Sequence, residues 1–120
     1  MKQLFNPLHF GIQIIASKLV YDFMANDKIQ LIHPEGKSAP AIKLATYKLF
    51  EKAILNTLKI KESLTYTDIA SSVQEEFSKK KIDFEGSVEW YSVCVKQHLE
   101  SQGVIETFIE NDKKMHRLKK

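Results

Sequence analysis

Cys94 and His98 stand four residues apart, a spacing that puts both side chains on adjacent parts of one helical face. A thiolate beside an imidazole suits two chemistries: holding a transition metal, or acting as nucleophile and base. Neither is complete here. A tetrahedral metal site needs further ligands, and the spacing of His9, His33 and His116 recruits none of them, so no metal is expected. A nucleophilic pair needs an orienting acid and an oxyanion-binding loop, and no such motif accompanies these two residues. Gly36, Lys37 and Ser38 repeat the end of a phosphate-binding loop, whose amides wrap phosphates while the lysine and hydroxyl meet phosphate and magnesium. That loop requires an earlier glycine where Leu31 stands, and Ala39-Pro40 interrupts the helix that should follow, so a plain turn is expected. Asp83 and Glu85 precede a helix and read as capping and solubilising residues rather than as paired carboxylates. The expectation is a protein that is not an enzyme, with no catalytic residue, cofactor, metal or small-molecule ligand.

The elements that must position these side chains are drawn from 120 residues, 43% of them apolar, which is enough for one buried core. A single cysteine excludes an internal disulfide and fits a reducing cytoplasm. The run from Leu8 to Met24 is apolar, but His9, Gln13, Ser17, Lys18 and Asp22 interrupt it, so neither a membrane span nor an export signal is expected. Residues 1–26 read instead as an amphipathic helical extension: Asn6 caps, Pro7 suits the first position, and Leu8, Ile12, Ile15, Leu19 and Phe23 recur on one face. Such a helix must pack on the body of its own chain or on a second copy, making a homodimer. Met24 also opens a polar stretch typical of a protein start, so translation beginning there is an alternative.

Residues 27–40 turn polar and are expected to form an extended arm and loop. From 41 to 120 the period becomes helical. Tyr47, Phe50, Ile54 and Leu58 give a first stripe, and Thr65 caps a second helix carrying Tyr66, Ile69, Val73 and Phe77. Ser87 opens a third helix that Gly103 stops, and VIETFIE, NDKK and MHRL follow in the order strand, polar turn, strand. Leu64 to Tyr66 supplies a short extra strand. The expected fold class is mainly α with a small β-hairpin: a winged helix, with a three-helix core and a C-terminal wing, plus the additional N-terminal amphipathic helix.

VKQHLESQGVIE, Val95 to Glu106, resembles the end of a winged-helix recognition helix passing into the wing. More narrowly, HPEGK, Tyr47, FEGSVEWYSVCVK and HLESQGVIE resemble an uncharacterised bacterial family of small winged-helix proteins. Its members carry a similar His-Pro-acid-Gly-Lys opening and Gly-Ser-Val-x-Trp-Tyr helix start. The likeness spans roughly Ile29 to Leu118 and implies the fold, but no activity. Thr107 departs from it, since the resemblance implies a basic residue there.

On the third helix, Val88, Tyr91, Ser92, Val95, Leu99 and Gln102 are expected in the core, and Trp90, Val93, Cys94, Gln97 and Ser101 on the opposite side. A major-groove reader carries Arg, Lys, Asn or Gln on that second side, and only Gln97 qualifies. Glu89 and Glu100 flank it against one cation, Lys96. From Ala41 to Asp112 nine lysines face twelve acids, whereas Lys113 to Lys120 adds five positive charges, so phosphate contact is confined to the end of the chain. The expected function is a non-enzymatic binding module, a DNA-associated regulator touching DNA through Lys113, Lys114, His116 and Arg117 of a basic wing, with Gln97. The alternative is a protein-interaction or dimerisation module that does not bind DNA. In it, Trp90, Val93 and Cys94 are covered by Leu8, Ile12, Ile15 and Leu19 of the same or a second chain, or by another protein.

Overall fold

A computed structural model describes residues 27–120, so the expected N-terminal helix, with Leu8, Ile12, Ile15 and Leu19, lies outside the described residues. The described chain begins with β1 (Lys28–Gln30) paired antiparallel to β2 (Ala41–Lys43), in the register Lys28↔Lys43, Ile29↔Ile42, Gln30↔Ala41. Both strands alternate polar, Ile, polar or small, so one pleat face carries the two isoleucines, and Ile42 is buried. Hydrogen bonds from Leu31 N to the Pro40 carbonyl (3.0 Å) and from Leu44 N to the Asp27 carbonyl (2.8 Å) close the two ends. The intervening HPEGK segment turns at Gly36, whose N–H reaches the His33 carbonyl at 3.0 Å.

Helix α1 (Leu44–Lys61) buries Tyr47, Phe50, Ala53, Ile54, Thr57 and Leu58, the three-and-four spacing of one helical stripe. After β3 (Ser63–Leu64), helix α2 (Tyr66–Lys79) starts where Thr65 accepts from Asp68 N at 3.2 Å, and it buries Ile69, Ala70, Val73 and Phe77. Helix α3 (Val88–Ser101) ends in a Schellman motif: Gly103 N bonds the Glu100 carbonyl (3.1 Å) and Val104 N the Leu99 carbonyl (2.9 Å). That motif needs a left-handed residue, supplied by Gly103 at φ +76°. Phe50 is the hub of the core, its ring centroid 5.1 Å from Phe77, 4.9 Å from Phe84 and 5.5 Å from Tyr91. β4 (Ile105–Glu110) and β5 (Lys113–Leu118) form a hairpin around Asn111-Asp112, both at positive φ as a two-residue turn demands. Leu118 faces Ile105 and Lys113 faces Glu110 across this hairpin.

This architecture corrects the expected fold class. The described residues hold three helices and five strands in two sheets, which is a mixed α and β protein rather than a mainly α winged helix with a lone hairpin. What overturns the expectation is a separate two-stranded sheet that precedes α1 where an unpaired arm was expected. The short extra strand expected at Leu64 to Tyr66 lies at Ser63–Leu64 and pairs with β5, in the order β3-β5-β4. Ala41–Lys43, at the start of the stretch expected to be helical, instead extends after Pro40 to pair with β1. No helix among the described residues is long and apolar enough to cross a membrane.

Candidate functional site

Ser87 caps α3 by accepting from Trp90 N at 3.0 Å, and Gly86 before it lies at φ +122°. A Cβ at Gly86 would meet Phe84 at 3.4 Å and Tyr91 at 3.5 Å, ordinary contact distances, so it is the backbone angle rather than crowding that favours glycine there. Tyr91 fixes Trp90 edge-to-face at 4.8 Å, and the Tyr66 hydroxyl, donating to the Glu89 carbonyl at 2.8 Å, ties α2 to the same turn. Trp90 is thus held by a ring rooted in the core while 46% of it stays exposed. Val93, Cys94 and Gln97 are half-buried along the same side, and Asp83, Glu85 and Glu89 are exposed around its approach. Beside Trp90 opens a groove of about 360 Å³, walled by Lys28, Lys43 and Thr46 on one side and Phe84, Glu85 and Tyr91 on the other.

The opposite side of α3 differs in kind. Ser92, Val95, Leu99 and also Lys96 and His98 are buried there, whereas Gln102, placed in the core by periodicity, is exposed. Lys96 is only 6% exposed and donates to Glu100 at 2.9 Å. The other Glu100 oxygen accepts from the Thr107 hydroxyl of β4, and Thr107 Oγ1 in turn lies 2.9 Å from His116 Nδ1 of β5. A carboxylate can only accept, so the Thr107 proton points at Glu100 and its oxygen accepts from His116 Nδ1–H. His116 Nε2 is therefore a bare acceptor, buried with no partner among the described residues; the same holds for Ser92 Oγ, one turn before Lys96, which is likewise buried and unpartnered among them. Burial first, then the Lys96 charge, push the His116 pKa down to about 4 against the opposing pull of Glu100, and Lys114 adds to the lowering. The ring is neutral at physiological pH.

His98 faces a third environment. Its Nδ1 accepts from Ile32 N at 3.0 Å, and its ring stands edge-on to Tyr47 at 5.4 Å. Burial lowers its pKa, with Glu51 opposing. Tyr47 donates to Glu51 at 3.0 Å and its pKa is raised by burial and by that carboxylate. His98 is thereby committed to the HPEGK side rather than to Cys94, whose pKa burial pushes up. A protonated thiol is a poor nucleophile. Among the described residues, no three His, Cys, Asp or Glu side chains gather as a metal site would require.

The expected nucleic-acid residues are scattered by the fold. Gln97 is half-buried on α3. Lys113 and Lys114 are exposed, but they stand on β5 rather than in the turn, opposite Glu110 and Ile109. His116, placed on the wing surface by its basic neighbours, is 1% exposed and points inward. Arg117 is bound to Glu106 at 2.6 Å and lies 4.1 Å above the Phe108 ring. Sequence reasoning missed the Lys96–Glu100–Thr107–His116 seam, although the four-residue spacing of Lys96 and Glu100 signals a pair.

Built from three helices and two small sheets among its described residues, the chain presents the half-exposed Trp90 on the outer side of α3. It belongs to a family of unknown function (DUF6958), whose model matches residues 28–116, from the start of β1 into β5. No curated protein and no solved structure matches the chain.

Proposed function

We propose that this chain is a non-enzymatic protein-interaction module that engages another polypeptide through the α3 face bearing Trp90, Val93 and Cys94. One observation carries the reading: Trp90 stands edge-on to Tyr91, a ring stacked on Phe50 of the core, while 46% of it is exposed. A large aromatic ring fixed in place and left uncovered loses little conformational entropy on contact and gains much from it. The rim of Asp83, Glu85 and Glu89 suits an apolar segment carrying a basic residue. Lys96, the cation that would offset these acids toward a phosphate backbone, is enclosed and paired with Glu100. The lone cysteine fits a reducing cytoplasm, and the resemblance stated above suggests a bacterial one.

The test is a photo-crosslinking side chain placed at Val93 of the full chain in living cells, with Ile60, which is 78% exposed on α1, as the control position. Adducts to another protein at 93 and not at 60 are expected. Identical adducts at both positions, or adducts at 93 confined to the chain itself, would sink the reading. A second reading, contact with DNA through the end of the chain, is favoured by the exposure of Lys113, Lys114, Lys119 and Lys120. A labelled duplex titrated at low and moderate salt decides it: binding that weakens with salt and disappears in Lys113→Glu/Lys114→Glu would move the function to β5.

A further inference from the structure

We propose that β4 is a contact surface for a second copy of this chain, whose own β4 it pairs with antiparallel about a two-fold axis at Thr107. The surface is separate from the Trp90 face and does not depend on it. In the sheet order β3-β5-β4, each outer strand has one side with no strand beside it among the described residues. β3 has two residues, too short to template much, whereas β4 has six. The hydrogen bond from Lys119 N to the Val104 carbonyl, 2.9 Å, fixes which amides β4 leaves open. Bonding alternates along an antiparallel pair, so Glu106, Phe108 and Glu110 turn their N–H and C=O toward β5, while Ile105, Thr107 and Ile109 turn theirs to the open side. Exposure agrees. Thr107 is exposed although its hydroxyl is bonded inward, and Ile109 is 66% exposed.

The segment IETFIE lacks the devices that protect a free edge. It holds no proline, its register with β5 runs without a bulge, and the face toward α3 carries Ile105, Thr107 and Ile109 with no charge. Its sequence also fits itself. Two copies exchange amide bonds only where an outward residue meets an outward residue, and the register Thr107↔Thr107, Ile105↔Ile109 uses Ile105, Thr107 and Ile109 of both chains. There each Glu106 lies opposite Phe108 of the partner subunit, and each Glu110 opposite Val104 of the partner subunit. Sliding by one pleat repeat sets Glu106 against Glu106 in one direction and against Glu110 in the other, which like-charge repulsion opposes. The favoured register brings the exposed Ile109 beside Ile105 of the partner subunit. Because the contact is two-fold, it closes at a dimer whose sheet ends in the short β3 on both sides.

Sedimentation of the full-length chain at micromolar concentration is expected to show a dimer. Ile109→Pro removes an outward amide from each chain and no bond to β5, so it should raise the dissociation constant about tenfold or more while far-UV circular dichroism holds. If the proline unfolds the strand, Ile109→Lys, which sets an ammonium against Ile105 of the partner subunit, takes its place. In a Cys94→Ser background, mild oxidation of Thr107→Cys should link two chains, since a self-opposed pair lies within disulfide reach, and Ile109→Cys should not. A monomer at every concentration overturns the proposal. So does a dimer that neither Ile109 variant weakens, because its contact then lies elsewhere, at the Trp90 face or in residues 1–26. Equal linking at 107 and 109 overturns the register, and with it the two-fold axis at Thr107. None of these outcomes bears on the Val93 adducts, which report the Trp90 face alone.

Discussion

The two sides of α3 carry opposite chemistry in the opposite of the usual places. On the inner side Lys96 and Glu100 are enclosed and joined through Thr107 to His116, so charge holds the helix to the sheet. On the outer side Trp90 and Val93 present apolar surface framed by acids. A helix that reads DNA keeps its cations outward, where phosphates and base edges lie. This one uses its cation as an internal fastener, and what it leaves for a partner is an oily surface with negative borders.

Removing one member of the inner pair should have the largest effect. Lys96→Met strands the Glu100 carboxylate and is expected to cost about 3–5 kcal/mol in urea unfolding, while Lys96→Met/Glu100→Leu recovers most of the loss. A single variant no worse than the double would mean the inner side is no seam. Next comes acid. The folded state holds His116 neutral, with a pKa of about 4 against an ordinary 6.5. Its contribution is thus complete above pH 6.5 and is lost as pH falls toward 4, up to about 3 kcal/mol. His98, also lowered by burial, acts in the same direction. Melting temperature against pH should flatten on this limb in His116→Phe. Thr107→Val deletes both the donor to Glu100 and the acceptor for His116, and unfolding should register about 1–3 kcal/mol. On the outer side Trp90→Ser should cost only about 1 kcal/mol while abolishing the Val93 adducts, which sharpens the contrast between fastener and contact. Smallest is Lys113→Glu/Lys114→Glu, expected within about 0.5 kcal/mol of wild type in stability.

Much of the local structure was legible because it is set by near neighbours. The Tyr47, Phe50, Ile54 and Leu58 stripe is buried, Thr65 and Ser87 cap their helices, and Gly103 stops the third. The fold class was not legible, because it turns on pairing between distant and very short strands. Lys28–Gln30 and Ala41–Lys43 have three residues each, and Ile42-Lys43-Leu44-Ala45 reads equally well as helix until β1 lies beside it. The site divides the same way. Trp90 outward followed from helical periodicity, but Lys96 and His116 inward did not. A basic run reads as a solvated face, and only the β4–β5 register, setting His116 opposite Thr107 beneath α3, reveals where the ring points.

The seam also has a direction. The Lys96 ammonium and the Thr107 hydroxyl both donate to Glu100, and His116 Nδ1–H donates in turn to Thr107 Oγ1, so the ring carries the Nδ1–H tautomer, the less populated form of free histidine. Isotope-edited spectra of the ring nitrogens would carry that signature, and reversing the Thr107 rotor would turn a lone pair onto the carboxylate. The contact between helix and sheet is therefore polarised one way, and a substitution that keeps the size of Thr107 but not its hydroxyl would erase the orientation of the whole row.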